Sequence, residues 1–155
     1  MKNLLFPFLL VTIFSTIAFS QEVLKLQPCN DSLIHVQADS ITKAVALEGF
    51  TLLKENSVTM ESQYELPVIV PLQEKSLYHF VFIGDHNSNQ VEVRLIDADG
   101  NMVIYEKRSR SESNFISFSY VPNVTLYHQF RILQVNKKKK KGLCGYVMLF
   151  KKTRV

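Results

Sequence analysis

Two neighbouring stretches of the chain determine its fold class: LYHFVFI at residues 77–83 and VEVRL at residues 91–95. The first is rich in aromatic and β-branched residues, which favour strands. In the second, apolar residues alternate with Glu92 and Arg94, which is the period of a half-buried strand. The turn sequence DADGN at residues 97–101 follows and leads into a return strand. This part of the chain therefore predicts a β-hairpin.

The two-residue period continues through most of the chain after residue 50. Further strand candidates lie at residues 50–53, 65–72, 102–105, 116–120, 126–135 and 146–150. Pro67 and Pro71 lack the amide hydrogen that the interior of a sheet requires, so residues 65–72 predict an edge strand. Seven or eight short strands without intervening helices predict a mainly β domain, an antiparallel β-sandwich or barrel.

One helix is predicted before the strands, at about residues 31–48. Asn30 or Asp31 supplies a capping side chain, and Gly49 stands where a helix commonly ends in a left-handed backbone. The apolar residues that we assign to one helical face are Leu33, Ile34, Ile41, Ala44, Val45 and Leu47.

The first 20 residues have the features of a secretory signal peptide. Lys2 provides a short basic region, residues 4–18 are predominantly apolar, and Ala18-Phe19-Ser20 places small residues before a cleavage site at Gln21. The alternative is an uncleaved membrane anchor, but a spanning helix needs about 20 apolar residues. We therefore expect a single secreted or periplasmic domain at residues 21–155, with no membrane span after cleavage.

Cys29 and Cys144 are the two cysteines of the chain. Export to an oxidising compartment favours a disulfide between them. A metal site is the alternative, but zinc needs more soft ligands than two distant cysteines supply. The disulfide would tie the N-terminal segment to the last strand.

The positive charge is concentrated near the C-terminus. Residues 137–155 hold eight basic and no acidic side chains, whereas residues 21–136 hold nine basic and fourteen acidic ones. Five of the basic residues are consecutive: Lys137, Lys138, Lys139, Lys140 and Lys141. Such a run is typical of a solvated loop, but it is also a candidate site for phosphates, anionic glycans or an anionic membrane surface. Aromatic residues do not alternate with these lysines, so nucleic acid is not an expected partner.

The sequence contains none of the common catalytic or metal-binding motifs. His35, His79, His86 and His128 form no HxH or HExxH pair, and there is no G-x-S-x-G. The DADGN turn lacks the glutamate of a calcium-binding loop, since Arg108 stands at the twelfth position. We therefore expect no catalytic residues, no cofactor and no metal. A hydrolase or a metal-dependent enzyme with an unrecognised site stays open as an alternative, because such sites assemble in three dimensions.

Residues 77–150 resemble the bacterial pre-peptidase C-terminal domains. The resemblance rests on Tyr78-His79-Phe80 at the start of a strand, residues 91–97 with Gly100 closing the turn, Tyr127 within a strand, and Gly145-Tyr146 opening the last strand. It implies a jelly-roll-like β-sandwich that accompanies other secreted proteins. The match departs from the family at Val124-Thr125-Leu126, where its members usually carry a glycine.

These features together predict a non-catalytic binding or accessory module. Its expected partner is an envelope or extracellular protein, or a polysaccharide. Loops on a rigid scaffold commonly form binding surfaces, so we expect contacts at residues 84–90, 107–114 and 136–142. An anion-binding module that uses the lysine run is a further alternative.

Overall fold

The computed structural model describes residues 27–153, which form one helix and eight strands. The elements are α1 (Ser32–Leu47), β1 (Phe50–Met60), β2 (Leu66–Leu72), β3 (Tyr78–Gly84), β4 (Gln90–Ile96), β5 (Met102–Ser109), β6 (Phe115–Tyr120), β7 (Leu126–Val135) and β8 (Leu143–Lys152). Two four-stranded antiparallel sheets stack face to face: sheet A, in the order β1-β8-β3-β6, and sheet B, in the order β2-β7-β4-β5. The predicted β-sandwich with an N-terminal helix is confirmed. The predicted signal peptide lies outside the described residues.

The main hydrophobic core lies between the two sheets. Because side chains alternate along each strand, one face of every central strand points into this layer. Phe80 of sheet A stacks on Phe130 of sheet B, with ring centroids 4.1 Å apart. Val93 and Ile132, on adjacent strands of sheet B, are fully buried beside them. Burial of these side chains, at roughly 25 cal/mol per Å² of apolar surface, holds the two sheets together.

Helix α1 begins and ends as the sequence predicts. The Asp31 carboxylate accepts hydrogen bonds from the amides of Leu33 (3.0 Å) and Ile34 (3.2 Å), so Asp31 is the N-cap. At the other end, Gly49 has a φ of +80°, a left-handed conformation that glycine adopts without strain. The chain then turns directly into β1.

The buried face of α1 differs from the predicted one. Ile34, Ala38 and Val45 are buried against the outer surface of sheet A, where they meet Val81 and Met148. The prediction was wrong for Leu33, Ala44 and Leu47, which are exposed. The buried positions follow a spacing of four and seven residues, and the sheet beneath contacts only this narrow stripe of the helix. Within the described part of the chain, α1 is too short and too polar to cross a bilayer.

Three strands are longer than the sequence predicts. β1 continues to Met60, β5 continues to Ser109, and β8 begins at Leu143. The sequence predicted too short a β1 because many of its residues are polar. They are polar because β1 is an edge strand whose side chains are largely exposed. A register shift between Leu52 and Lys54 also interrupts its alternation.

The predicted edge position of β2 is confirmed. Within the described residues, β2 pairs with β7 alone and places Pro67 and Pro71 opposite Arg131 and Tyr127. A proline-containing strand can occupy an edge because one of its sides needs no hydrogen-bond donors.

A disulfide joins Cys29 to Cys144, with 5.5 Å between their Cα atoms. The same segment is held to β1, because the Thr59 amide donates to the Gln27 carbonyl at 2.8 Å. The predicted role of the bond is therefore confirmed, since it anchors the segment before α1 to the central strand β8 of sheet A.

The strand order sends alternate loops to opposite ends of the sandwich. The connections β1–β2, β3–β4, β5–β6 and β7–β8 meet at one end, which we call the lysine end because the last of them contains residues 137–141. The connections β2–β3, β4–β5 and β6–β7 meet at the opposite end. All three loops expected to make contacts therefore lie at the lysine end, but residues 107–109 of the predicted loop 107–114 belong to β5.

Candidate binding site at the lysine end

Hydrogen bonds join the three predicted contact loops to one another. Asn89 is central: its amide donates to the Val135 carbonyl (2.7 Å), and its carbonyl accepts from the Arg110 amide (2.9 Å). Its side-chain Oδ1 also accepts from the Lys137 amide at 2.9 Å. Loop 84–90 thus fixes the positions of both other loops. This arrangement could not be predicted from any single stretch of the sequence.

The lysine-bearing loop is also held from the side of the β1–β2 connection. The Ser62 amide donates to the Lys140 carbonyl at 2.7 Å. The Ser62 hydroxyl donates to the Asn136 carbonyl (3.1 Å) and accepts from the Asn136 amide (2.9 Å). Within the loop, Oδ1 of Asn136 accepts from the amides of Lys138 and Lys139, both at 2.9 Å. This turn gives the start of the lysine run a defined backbone conformation.

A cleft of about 300 Å³ lies between these loops. Its lining residues are Asn87, Asn89, Arg110, Asn136, Lys137, Lys138 and Lys139. All of them are polar and four carry a positive charge. The volume is at the lower end of the range for ligand sites, which suits a group about the size of one sugar ring.

The five lysines of the run occupy different environments. Residues 137–139 line the cleft, whereas Lys140 and Lys141 do not. The ammonium of Lys139 lies 3.9 Å from the carboxylate of Asp85, and that of Lys141 lies 3.5 Å from Glu61. The structure therefore divides the run into a part that belongs to the cleft and a part that extends into solvent.

Asp85 lies beneath the lysines as a buried carboxylate, with 5% of its surface exposed. One carboxylate oxygen accepts from the Asn87 amide at 2.8 Å, and the other accepts from the Cys144 amide at 3.3 Å. These bonds, together with the nearby Lys139, compensate its charge. Asp85 thereby connects loop 84–90 to the disulfide-bearing strand β8.

Gln134 supports the same loop from inside the sandwich. Its side chain is fully buried, and its Oε1 accepts from the Asp85 amide and the Ser88 hydroxyl, both at 2.9 Å. Its Nε2 donates to the Cys144 carbonyl at 2.9 Å. A buried polar side chain with all these partners fixes loop 84–90 to β7 and β8.

The outer face of sheet B carries a second group of charges, and four of them form a network of ion pairs. Arg94 donates to Glu65 at 2.7 Å and to Glu92 at 3.3 Å. Glu92 also accepts from the Tyr105 hydroxyl at 3.3 Å and lies 3.7 Å from the Lys107 ammonium. Arg94 and Lys107 therefore have carboxylate partners, whereas Arg110, Lys137 and Lys138 at the lysine end have none within 4 Å among residues 27–153.

The histidines, which the sequence offered as possible metal ligands, do not lie close to one another. The four histidines have separate neighbours: His35 contacts Tyr146, His79 contacts Ser119, His86 contacts Asn114, and His128 contacts Leu126. Across residues 27–153, no group of three or more His, Cys, Asp or Glu side chains is placed to hold a metal ion.

The DADGN sequence forms the predicted hairpin turn between β4 and β5. Asp97 accepts from the amides of Asp99 (3.0 Å) and Asn101 (2.8 Å). The hydrogen bond from the Asn101 amide is the main reason that the pKa of Asp97 lies below its usual value. The carboxylate stabilises the turn, which agrees with the structural interpretation of this motif.

The role of Asn136 was not predicted from the sequence. This residue lies within a predicted contact loop, but the prediction assigned it no role separate from the lysines that follow. An asparagine that directly follows a strand is a signal for a side-chain-capped turn, and this signal was available.

No protein-family model matches the chain, and no curated protein matches it. The resemblance to pre-peptidase C-terminal domains is therefore not confirmed at the level of the family, although the β-sandwich that it implied is present.

Three solved structures illustrate what the fold is similar to. The carbohydrate-binding module CBM4 has a TM-score of 0.41 at 9% identity, covering 68% of this chain and 79% of its own. A variant of a family 29 carbohydrate-binding module has a TM-score of 0.35 at 11% identity, covering 65% and 75%. The K3 cleaved adhesin domain of Lys-gingipain from Porphyromonas gingivalis has a TM-score of 0.34 at 12% identity, covering 63% and 73%. These TM-scores are below 0.5, so the similarities carry no conclusion about function.

Proposed function

We propose that this protein is a secreted or periplasmic, non-catalytic binding module that contacts a polysaccharide through the cleft at the lysine end. The observation that supports the proposal is the convergence of three loops on one concave, wholly polar site. In this proposal the signal peptide is cleaved before Gln21, and the disulfide stabilises the exported domain.

The chemistry of the cleft favours a polysaccharide over a protein partner. Its lining combines three asparagines with Arg110 and residues 137–139, and it contains no apolar side chain. Protein interfaces instead have centres enriched in aromatic residues and depleted in lysine. A polymer rich in hydroxyl groups needs the donors and acceptors that amide side chains provide.

The rigidity of the loops also supports binding at this site. The contacts of Asn89, Ser62 and Gln134 fix the loop backbones in the free protein. Ligand binding then requires little ordering of the chain, which reduces its entropic cost.

Substitution of lining residues that support no other part of the fold tests the proposal. The variant Asn87→Ala/Arg110→Ala removes two such side chains. The matched control Asn123→Ala/Arg131→Ala makes the same chemical changes at exposed positions away from the cleft. Affinity electrophoresis against a panel of neutral and acidic polysaccharides, followed by calorimetry with the best ligand, measures both.

We expect the cleft variant to weaken binding at least about tenfold and the control to leave it unchanged. Equal affinity of both variants and the wild-type protein would reject this site. If the wild-type protein binds no polysaccharide and instead retains an envelope protein at the cleft, the polysaccharide function is wrong.

The enzymatic alternative has a separate test. A purified sample that hydrolyses any polysaccharide of the panel would contradict a purely binding role, and a sample without a stoichiometric metal ion would remove the metal-dependent enzyme.

A further inference from the structure

The cations that line the cleft are incompletely paired. Lys139 faces Asp85 at 3.9 Å, but within residues 27–153 no carboxylate lies within 4 Å of the charged groups of Arg110, Lys137 or Lys138. Cations held close together by a fixed backbone repel one another. An anion placed between them relieves that repulsion, so the electrostatics of the cleft favour a negatively charged ligand group.

The side chain of Asn136 provides a second, independent indication. This residue lines the cleft and is only 2% exposed. Its Nδ2 is buried and has no hydrogen-bond partner among the described residues. Buried polar groups are nearly always paired, so an unpaired donor calls for an explanation.

The orientation of this amide group is determined by its neighbours. Oδ1 of Asn136 accepts from the amides of Lys138 and Lys139. Exchanging the oxygen and the nitrogen would set an NH₂ group against these two N–H donors, which is unfavourable. The unpaired atom is therefore a donor, and it belongs to a residue that lines the cleft together with the exposed residues 137–139.

From these two observations we infer that the cleft is an oxyanion subsite. It binds one phosphate, sulfate or carboxylate group of the polysaccharide, with Asn136 Nδ2 as a hydrogen-bond donor and Arg110, Lys137 and Lys138 as charge partners. The inference rests on the proposed function, because the polysaccharide carries the anionic group. The inference adds the chemical class of the ligand group. It also assigns binding to the lysines that line the cleft and not to Lys140 and Lys141.

Two double variants distinguish specific binding of an anion in the cleft from non-specific attraction to a run of positive charges. Lys137→Gln/Lys138→Gln removes two charges inside the cleft, whereas Lys140→Gln/Lys141→Gln removes two charges from the same run outside it. The backbone contacts of this loop do not depend on the lysine side chains. The net charge of the two variants is identical.

The variant Asn136→Asp tests the donor directly. Aspartate has the same shape and keeps an oxygen that accepts from the two lysine amides, but it replaces the NH₂ group with a negatively charged oxygen. We expect binding of an oxyanion to be lost in conditions where circular dichroism shows the variant to be folded, although the buried carboxylate should lower its urea midpoint. The lysine pairs keep the inference testable if this variant fails to fold.

The ligands for the test are heparin as the sulfated polymer, polygalacturonate as the carboxylated polymer and dextran as the neutral one. We expect the cleft lysine pair and Asn136→Asp to lower the affinity for an acidic polymer at least about tenfold, and the outer lysine pair to lower it less than about threefold. The slope of log affinity against log salt should also decrease more for the cleft pair, because fewer counterions are then released.

Equal losses for the two lysine pairs would overturn the inference in favour of non-specific attraction. If the cleft variants lose binding of dextran, and this binding is independent of salt, the proposed function stands and the oxyanion subsite is wrong. If the protein binds none of the three polymers but binds vesicles of anionic phospholipid, and the cleft variants lose that binding, the polysaccharide function is wrong.

Discussion

Replacing Gln134 with leucine should destabilise the protein and weaken the attachment of loop 84–90 to β7 and β8. Gln134 is fully buried and bonds to the Asp85 amide, the Ser88 hydroxyl and the Cys144 carbonyl, each at 2.9 Å. Leucine has a similar size but no polar atoms, so these buried groups lose their partner. Each buried group left unsatisfied costs about 1–3 kcal/mol. For the two backbone groups together, we expect the free energy of unfolding to fall by about 3 kcal/mol.

Urea denaturation followed by circular dichroism measures this loss, with Gln129→Leu as the matched control. Gln129 lies five positions earlier on the same strand but faces outward, where its Oε1 accepts from Arg131 at the surface. The control should change the free energy of unfolding by about 0.5 kcal/mol or less. A Gln134→Leu variant that unfolds at the same urea concentration as the wild-type protein would refute the reasoning. It would mean that the buried amide bridge contributes nothing to the position of loop 84–90.

Three further perturbations test other parts of the fold. Gly145→Ala places a methyl group 2.8 Å from a ring carbon of Phe82. We therefore expect the free energy of unfolding, measured by urea denaturation, to fall by about 1–3 kcal/mol. Replacing Cys29 and Cys144 with alanine should lower the free energy of unfolding by about 2–4 kcal/mol, and a reductant should then destabilise the wild-type protein but not this variant. Burial lowers the pKa of His79 below its usual value of 6.5, although the charge of Glu48 acts in the opposite direction. The unfolded chain therefore binds more protons than the folded one, so stability should decline as the pH falls below 6.5, and His79→Gln should flatten this part of the profile.

The fold class could be predicted from the sequence because the signals for it are local. Alternation along β4 and β7 reports which face of each strand is buried, the aromatic and β-branched residues of β3 favour a strand, and Asp31 and Gly49 mark the ends of α1 through their own backbone chemistry. Pro67 and Pro71 similarly identified an edge strand, since each of them removes a hydrogen-bond donor. These features act within a few residues, so they do not depend on the remainder of the chain.

The errors in the prediction arose where a partner element decides the outcome. The polar residues of β1 are compatible with a strand only because β8 supplies its hydrogen bonds along one side. Leu47 fits an apolar helical face, yet it is 90% exposed because sheet A contacts a different stripe of α1. Periodicity reports that a buried face exists, but the position of the neighbouring element determines which residues belong to it.

For the candidate site, the sequence by itself determined the residue types: a run of lysines, three polar loops and two cysteines available for pairing. The tertiary structure alone decided that the three loops meet, that Lys137 and Lys138 line a cleft whereas Lys140 and Lys141 do not, and that the Asn136 amide is buried there. The physical reason is that side chains separated by about fifty positions along the chain approach one another only after the two sheets have stacked. The charge of each lysine is a property of that residue, but the partners available to the charge are a property of the fold.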